Sequence, residues 1–216
     1  MKLYSYFRSS AAYRVRIALN LKRVAYEYVP VHLLRGEQRA SSYTDINPEG
    51  LVPTLIDDEA HDTVAMSQSL AIIEYLEETH PEPPLLPHDA PSRARVRAIA
   101  GAIACDIHPL NNLRVLQYLK HVLGIGDEAR DAWYRHWVAR GLDALEARLA
   151  REPGTGAFCH GDAPTLADIC LVPQLSNARR MNVPLEAYRT LVAIEANCLA
   201  QDAFARAAPE NQPDAS

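Results

Sequence analysis

Two adjacent serines stand where a predicted strand meets a predicted helix, and they are the first candidates for chemistry. The segment 2–7 alternates polar and apolar residues, as a half-buried strand does. Ser9 and Ser10 follow, and then a helical apolar stripe that includes Val15 and Leu19. A helix N-terminus offers free N–H groups and a partial positive charge, which stabilise an anion such as a thiolate. The same serines would also serve as plain helix caps, so both roles stay open.

No protein thiol lies at this junction. A redox enzyme would carry C-x-x-C there, whereas this chain has Ser9, Ser10, Ala11 and Ala12. The pattern therefore argues against disulfide exchange and leaves stabilisation of a ligand's thiolate. Lowering a thiol pKa by two units from about 8.5 requires roughly 2.7 kcal/mol. A hydroxyl donor together with helix N–H groups can supply that amount.

Two further groups of candidates lie in the first 80 residues. A cis peptide bond between Val52 and Pro53 would let the Val52 backbone pair with an extended peptide, although a trans edge proline is the default. Gln68 and Ser69 open a predicted amphipathic helix, where an amide, a hydroxyl and helix N–H groups suit an α-carboxylate beside an ammonium. A plain serine cap is the alternative at Ser69.

The second half of the chain offers two polar clusters. Residues 106–114 place polar groups around Pro109, which should kink the helix predicted at 92–123. Cys105 and His108 are too few to form a metal site. Arg179 and Arg180 end another predicted helix, where a guanidinium pair suits carboxylates or forms a solvated helix end.

Five prolines between positions 81 and 91 mark a linker between two structural regions. Before the linker, the predicted order is βαβ(α)ββα, with the last two strands at 52–56 and 61–65 and the last helix at 67–80. This order indicates a four-stranded mixed sheet covered by helices. After the linker, the periodicity is helical, with further helices predicted at 130–151 and from 165 toward 181. The final eight residues are expected to be frayed.

Composition excludes several classes of partner. The net charge of −5 argues against nucleic-acid binding, because phosphate binding needs a basic face. No apolar run approaches the roughly 20 residues of a membrane span, and the N-terminus lacks the apolar core of a signal peptide. Four cysteines without C-x-x-C or zinc spacing indicate free thiols in a reducing compartment. We therefore expect a cytoplasmic protein without a metal or a membrane partner.

Taken in order, these motifs resemble the zeta class of glutathione transferases, which includes maleylacetoacetate and maleylpyruvate isomerases. The matching stretches span positions 2–180 and are KLYSYFRSSAAYRVRIALNLK, NPEGLVPTL, SQSLAIIEYLEE, LLPHDAPSRARVRAI, IHPLNNLRVL and GDAPTLADICLVPQLSNARR. The resemblance implies the glutathione transferase fold, with an α/β thioredoxin-like domain at 1–82 and an all-α domain at 88–216. It also implies a homodimer. One departure is Ala11, where the class usually has cysteine after the two serines.

The resemblance also implies site residues, position by position. The residues that would hold glutathione are Ser9, Ser10, Gln38, Val52, Gln68, Ser69, His108, Asn112 and Arg114. Ser10, and less surely Ser9, would stabilise the glutathione thiolate. Arg8 and Arg180 would bind the carboxylates of a dicarboxylic diketo acid, and we class these two with the serines as catalytic. No metal is implied.

The implied activity is glutathione-dependent cis–trans isomerisation of maleylacetoacetate in tyrosine catabolism. Maleylpyruvate, from the gentisate pathway, is the alternative substrate. A detoxifying transferase that consumes glutathione on haloacids is a second alternative, and a non-catalytic module with this fold is a third.

Overall fold

The computed structural model describes residues 1–58 and 64–215, and the chain divides into two compact units. Unit 1 comprises Met1–Pro84 together with Ala200–Ser216, and unit 2 comprises Leu85–Leu199. The first boundary falls inside the proline-rich segment. The sequence predicted one helical domain at 88–216, but the structure groups Ala200–Ser216 with the α/β unit.

A four-stranded sheet organises unit 1, as the sequence predicted. Its strands are β1 (Lys2–Ser5), β2 (Glu27–Pro30), β3 (Thr54–Ile56) and β4 (Ala65–Ser67). The spatial order is β2-β1-β3-β4. β1 pairs with β2 in parallel and with β3 antiparallel, and β3 pairs antiparallel with β4. The mixed topology is therefore confirmed.

The register of β4 corrects one predicted boundary. The sequence predicted a strand at 61–65 and a hairpin through residues 57–59, but residues 59–63 lie outside the described part of the chain. The described strand continues to Ser67, because Thr54 pairs with Ser67 in the β3–β4 ladder. Consequently α3 begins at Ser69 rather than at the predicted residue 67.

The described residues of unit 1 form four α-helices: α1 (Ser10–Leu21), α2 (Ser41–Thr44), α3 (Ser69–Thr79) and α10 (Asp202–Ala207). α1 packs against α3 and also against α10. Its buried face includes Val15 and Leu19, as the helical stripe predicted, and also Arg14 and Arg16. The packing of α10 on α1 explains why the C-terminal residues group with this unit.

Unit 2 is helical. Its helices are α4 (Ala90–Gly101), α5 (His108–Asn111), α6 (Leu113–His121), α7 (Asp127–Leu149), α8 (Leu166–Arg180) and α9 (Arg189–Leu199). The predicted interruption near Pro109 is confirmed. A π-helical segment, Ala102–Ile107, precedes α5, and the extended backbone of Asn112, with ψ 146, separates α5 from α6. Proline has no N–H to donate to the preceding turn, which favours such a break.

The start of α8 is also as predicted. Thr165 and Asp168 form a capping box in which the Asp168 carboxylate accepts the Thr165 N–H at 2.8 Å. The same carboxylate accepts the Cys159 N–H at 2.7 Å. Burial raises the pKa of Asp168, while these hydrogen bonds oppose that rise. None of the helices in the described residues is long and apolar enough to cross a membrane.

Candidate active site

Three segments of unit 1 meet at one end of the sheet, where three neighbouring strands begin or end. In the ladders, Tyr4 pairs with Thr54 and Thr54 pairs with Ser67. The end of β1, the start of β3 and the end of β4 therefore lie side by side. The residues just beyond these strand ends are the predicted site segments at 7–10, 51–53 and 68–69. The sheet register thus gathers candidates that lie far apart in the sequence.

The two serines at the first segment have different environments. Ser9 is the N-cap of α1, and its Oγ accepts the Ala12 N–H at 3.2 Å. Its side chain is half-buried, and its hydroxyl proton remains able to donate. Ser10 is the first residue of the helix and is only 5% exposed. The Ala11 N–H has no partner among the described residues. The junction therefore presents a hydroxyl and a backbone N–H, with Ser9 the more accessible serine.

The second segment is a turn fixed by side chains. The Val52–Pro53 peptide bond is cis. The Leu51 carbonyl accepts hydrogen bonds from the Tyr43 hydroxyl at 2.5 Å and from Asn47 Nδ2 at 2.9 Å. The backbone N–H and carbonyl of Val52 have no partner in the described part of the chain. An extended ligand can therefore use both groups of Val52.

Gln38 lies against the same turn. Its backbone carbonyl would be 3.1 Å from a Cβ added at Gly50, whose φ of +61 favours glycine. The side chain is 7% exposed, and its Oε1 has no hydrogen-bond partner among residues 1–58 and 64–215. A buried amide oxygen normally has a partner, so Gln38 is suited to an external donor.

The third segment contains Gln68 and Ser69. Gln68 is exposed, adopts a left-handed φ of 68, and donates from Nε2 to Glu49 Oε2 at 2.9 Å. Ser69 is 6% exposed, and its Oγ accepts from Arg14 Nη1 at 3.2 Å. The Arg14 bond joins the first turn of α3 to α1. Sequence reasoning missed Glu49 and Arg14, because neither belongs to a local motif.

Arg8 and the predicted residues of unit 2 are placed as follows. Arg8 is exposed, with its guanidinium 4.9 Å from the centre of the Phe7 ring. His108 Nε2 and Asn112 Nδ2 are 3.2 Å apart, and Asn112 caps α6 by accepting the Arg114 N–H at 3.1 Å. Arg114 is exposed. The structure thus brings His108, Asn112 and Arg114 together at the break between α5 and α6.

Arg180 lies beside a buried tyrosine that the sequence did not single out. Its Nη2 donates to Asn177 Oδ1 at 3.1 Å. The Tyr134 side chain is 1% exposed, and burial raises its pKa to about 12, while the nearby Arg180 charge opposes that rise. The neighbouring Trp133 donates from Nε1 to the Leu110 carbonyl at 2.8 Å. α5, α7 and α8 therefore converge near Arg180.

The neighbouring Arg179 is not the solvated helix end that was one of its two interpretations. Its guanidinium forms a two-pronged ion pair with the Glu195 carboxylate. Glu195 is 2% exposed, so this pair joins α8 to α9. The pair raises the pKa of Arg179. The two adjacent arginines consequently have different roles, and Arg180 is the one with an exposed guanidinium that has no carboxylate partner among the described residues.

The chain matches known families over most of its length. Residues 3–84 match the family model described as glutathione S-transferase, N-terminal domain, and residues 127–201 match glutathione S-transferase, C-terminal domain. The chain is 52% identical to the probable maleylacetoacetate isomerase of Vibrio cholerae over 215 residues. The aligned region covers 99% of this chain and 97% of the relative.

Solved structures agree. A holo structure of maleylpyruvate isomerase, described as a bacterial zeta-class glutathione S-transferase, has a TM-score of 0.96 at 50% identity and covers 100% of both chains. The maleylacetoacetate isomerase of Methylobacterium extorquens AM1, solved with malonate and glutathione, has a TM-score of 0.96 at 44% identity, also over 100% of both chains. The chain therefore belongs to the zeta class of the glutathione S-transferases. The resemblance and the fold inferred from the sequence are confirmed.

Proposed function

We propose that this chain is a glutathione-dependent isomerase that converts a maleyl diketo acid to its fumaryl form. The observation that carries the proposal is the end of the sheet in unit 1. There the capping Ser9 hydroxyl lies near the Ala11 N–H and the Val52 backbone, which have no partner among the described residues. Relatives of this chain that are named maleylacetoacetate and maleylpyruvate isomerases support the same reaction.

The residues of unit 1 fit glutathione. The ligand is a short peptide with an amide backbone. Val52 offers such a backbone an N–H and a carbonyl that have no partner within residues 1–58 and 64–215. Gln38 Oε1 offers a buried acceptor. Gln68 and Ser69, at the N-terminus of α3, suit the γ-glutamyl carboxylate and ammonium. Glu49 holds the Gln68 amide and so fixes its orientation.

Catalysis follows from how the chain treats the sulfur. When bound, glutathione supplies the thiolate that adds reversibly to the maleyl double bond and so permits rotation. The chain favours the thiolate through the Ser9 hydroxyl, with Ser10 as the second candidate, and through the positive end of α1. No protein thiol is needed for this chemistry, so Ala11 in place of the usual cysteine is compatible with it. Reduction through a protein mixed disulfide is disfavoured.

The substrate's charge must be held locally. The chain has a net charge of −5, and a maleyl diketo acid is a dianion at neutral pH, so long-range attraction cannot bind it. Arg8 and Arg180 are our candidates, because a guanidinium donates two parallel hydrogen bonds to a carboxylate. We assign His108, Asn112 and Arg114 to glutathione contacts from unit 2.

We propose maleylacetoacetate as the substrate and keep maleylpyruvate as the alternative, because relatives of both names match the whole chain. The test follows the absorbance of each diketo acid with and without glutathione, while free thiol is measured in parallel. Loss of one diketo acid with constant thiol supports the isomerase. Stoichiometric loss of thiol would instead indicate a transferase, and no loss of either diketo acid would refute the proposed reaction.

We also propose a cytoplasmic homodimer. Free cysteines, of which Cys159, Cys170 and Cys198 are buried, suit a reducing compartment. For the dimer, Ala94 and Ala98 form an exposed small-residue face on α4, which permits close helix approach, whereas Ala100 is buried within unit 2. Light scattering should give twice the chain mass at micromolar concentration, and a monomer there would contradict the dimer.

A further inference from the structure

The C-terminal residues fold back onto unit 1 instead of fraying. After α10, Pro209–Asn211 forms one 3-10 turn. Gln212 Nε2 donates to the Ala208 carbonyl at 2.8 Å and to the Arg206 carbonyl at 2.9 Å. These bonds anchor the tail to the end of α10. The expectation of a frayed terminus is therefore wrong for the described residues up to 215.

The tail places one carboxylate, that of Asp214, against the turn that joins β1 to the candidate active site. Asp214 Oδ2 accepts the backbone N–H of Phe7 at 3.1 Å, and Oδ1 accepts the Tyr28 hydroxyl at 2.6 Å. Phe7 immediately precedes Arg8 and is two residues from Ser9. Tyr28 lies on β2 and pairs with Leu3 of β1, so the sheet itself orients the carboxylate.

Arg16 holds the backbone carbonyl of the same residue, Phe7. This side chain is fully buried, and its Nη2 donates to the Phe7 carbonyl at 3.1 Å. Its Nε donates to the Ala207 carbonyl at 2.9 Å, so α10 positions the guanidinium. Both polar groups of Phe7 are thus bound by side chains that depend on the C-terminal segment. The Ser9 N–H donates to the Tyr6 carbonyl at 2.9 Å, which closes the turn after β1 and links Ser9 to the residues around Phe7.

We propose that Asp214 and Arg16 are positioning residues that orient Arg8 and Ser9 by holding Phe7 at its N–H and its carbonyl. The inference rests on the proposed function, because it assumes that Ser9 acts on a glutathione thiol. The C-terminal segment is, on this proposal, part of the apparatus that places the thiolate donor. A displacement of about 1 Å in such a group can cost on the order of a hundredfold in rate.

Charge alone predicts a different outcome from positioning. Removing the negative charge of Asp214 would favour a nearby thiolate and lower the thiol pKa. Losing the hydrogen bond to the Phe7 N–H would instead misplace Ser9 and raise the thiol pKa. Asp214→Asn separates the two effects, because its amide oxygen can still accept the Phe7 N–H while its NH₂ donates to the Tyr28 oxygen. Asp214→Ala removes both contacts.

The experiment compares Asp214→Ala, Asp214→Asn and Tyr28→Phe with the wild type. Asp202→Asn is the matched control, because Asp202 is an exposed carboxylate of the same segment, 3.5 Å from the exposed Arg206. The measurements are kcat/KM for the diketo acid, the pKa of enzyme-bound glutathione from thiolate absorbance, and the thermal midpoint. Tyr28→Phe removes the hydroxyl that binds Asp214 but leaves the Asp214–Phe7 hydrogen bond. It should therefore change kcat/KM and the thiol pKa in the same direction as Asp214→Ala, by a smaller amount.

We expect Asp214→Ala to lower kcat/KM by about tenfold or more and to raise the pKa of bound glutathione. Asp214→Asn and Asp202→Asn should stay close to the wild type, with Tyr28→Phe between them and the alanine variant. An alanine variant that loses only thermal stability would overturn the inference, and so would an asparagine variant that behaves like alanine. If the wild type isomerises neither diketo acid, the proposed function fails, while the thiol titration still tests the positioning.

Discussion

Replacing Ser9 by glycine separates its two roles, thiolate donor and helix cap. Ser9 Oγ accepts the Ala12 N–H at the start of α1, while its proton is available to a ligand. Ser→Ala at an N-cap costs about 0.5–2 kcal/mol of stability, whereas Ser→Gly costs only a few tenths. Ser9→Gly should therefore leave the free energy of unfolding almost unchanged and remove the hydroxyl donor.

The expected effect on turnover is large. A hydrogen bond to a charged group contributes about 1.5–3 kcal/mol, which corresponds to roughly 10- to 150-fold in rate. The same change should raise the pKa of bound glutathione by about one to two units, because one unit is equivalent to 1.36 kcal/mol. Ser10→Ala should cost less turnover, since Ser10 is only 5% exposed at the first turn of the helix.

The assay measures kcat/KM with saturating glutathione, thiolate absorbance against pH, and urea unfolding for Ser9→Gly, Ser9→Ala and Ser10→Ala. The two Ser9 variants should share the kinetic defect and differ in stability. The sequence led us to rank Ser10 first, whereas the lower exposure of Ser10 leads us to propose Ser9 as the main donor. If Ser10→Ala loses as much turnover as Ser9→Gly, or more, the argument from accessibility is refuted.

Three further outcomes are expected. Arg179→Ala should lower the free energy of unfolding by about 2 kcal/mol in urea titrations, because it leaves the buried Glu195 carboxylate without its partner. We expect less than the roughly 3–5 kcal/mol lost when a fully buried pair is broken, because the Arg179 side chain is 48% exposed. Arg180→Lys should lower kcat/KM at least about tenfold without changing glutathione affinity measured by calorimetry, and an unchanged kcat/KM would place the carboxylate site elsewhere. Burial raises the pKa of Tyr134 and of Tyr188 to about 12, above the unfolded value of 10.0. The contribution of the two neutral phenols to the free energy of unfolding is therefore complete below about pH 10 and is lost as the pH rises toward about 12. Unfolding titrations at stepped alkaline pH should show this loss, and Tyr134→Phe should reduce it.

Much of unit 1 and of the helix boundaries followed from local chemistry. The alternation in residues 2–7, the serine cap and the apolar stripe of α1 are signals that act within a few residues. The break near Pro109 and the Thr165–Asp168 capping box are equally local, because the proline ring and the cap act on adjacent backbone groups. The serines at the helix start and the absence of a thiol there indicated stabilisation of a ligand's thiolate as one of two roles, with a plain helix cap as the other.

Packing alone decided which of these residues meet, which serine is accessible and which arginine is paired. The register of β1, β3 and β4 brings the site segments together, and no local pattern carries that register. The Arg179–Glu195 pair spans 16 residues, and the Asp214–Phe7 bond spans 207. Such contacts depend on how whole elements pack. The spacing of the two partners in the sequence therefore gives no signal that they will pair. Local preferences therefore determined the elements of this protein, whereas burial and pairing between distant elements determined the working geometry of its site.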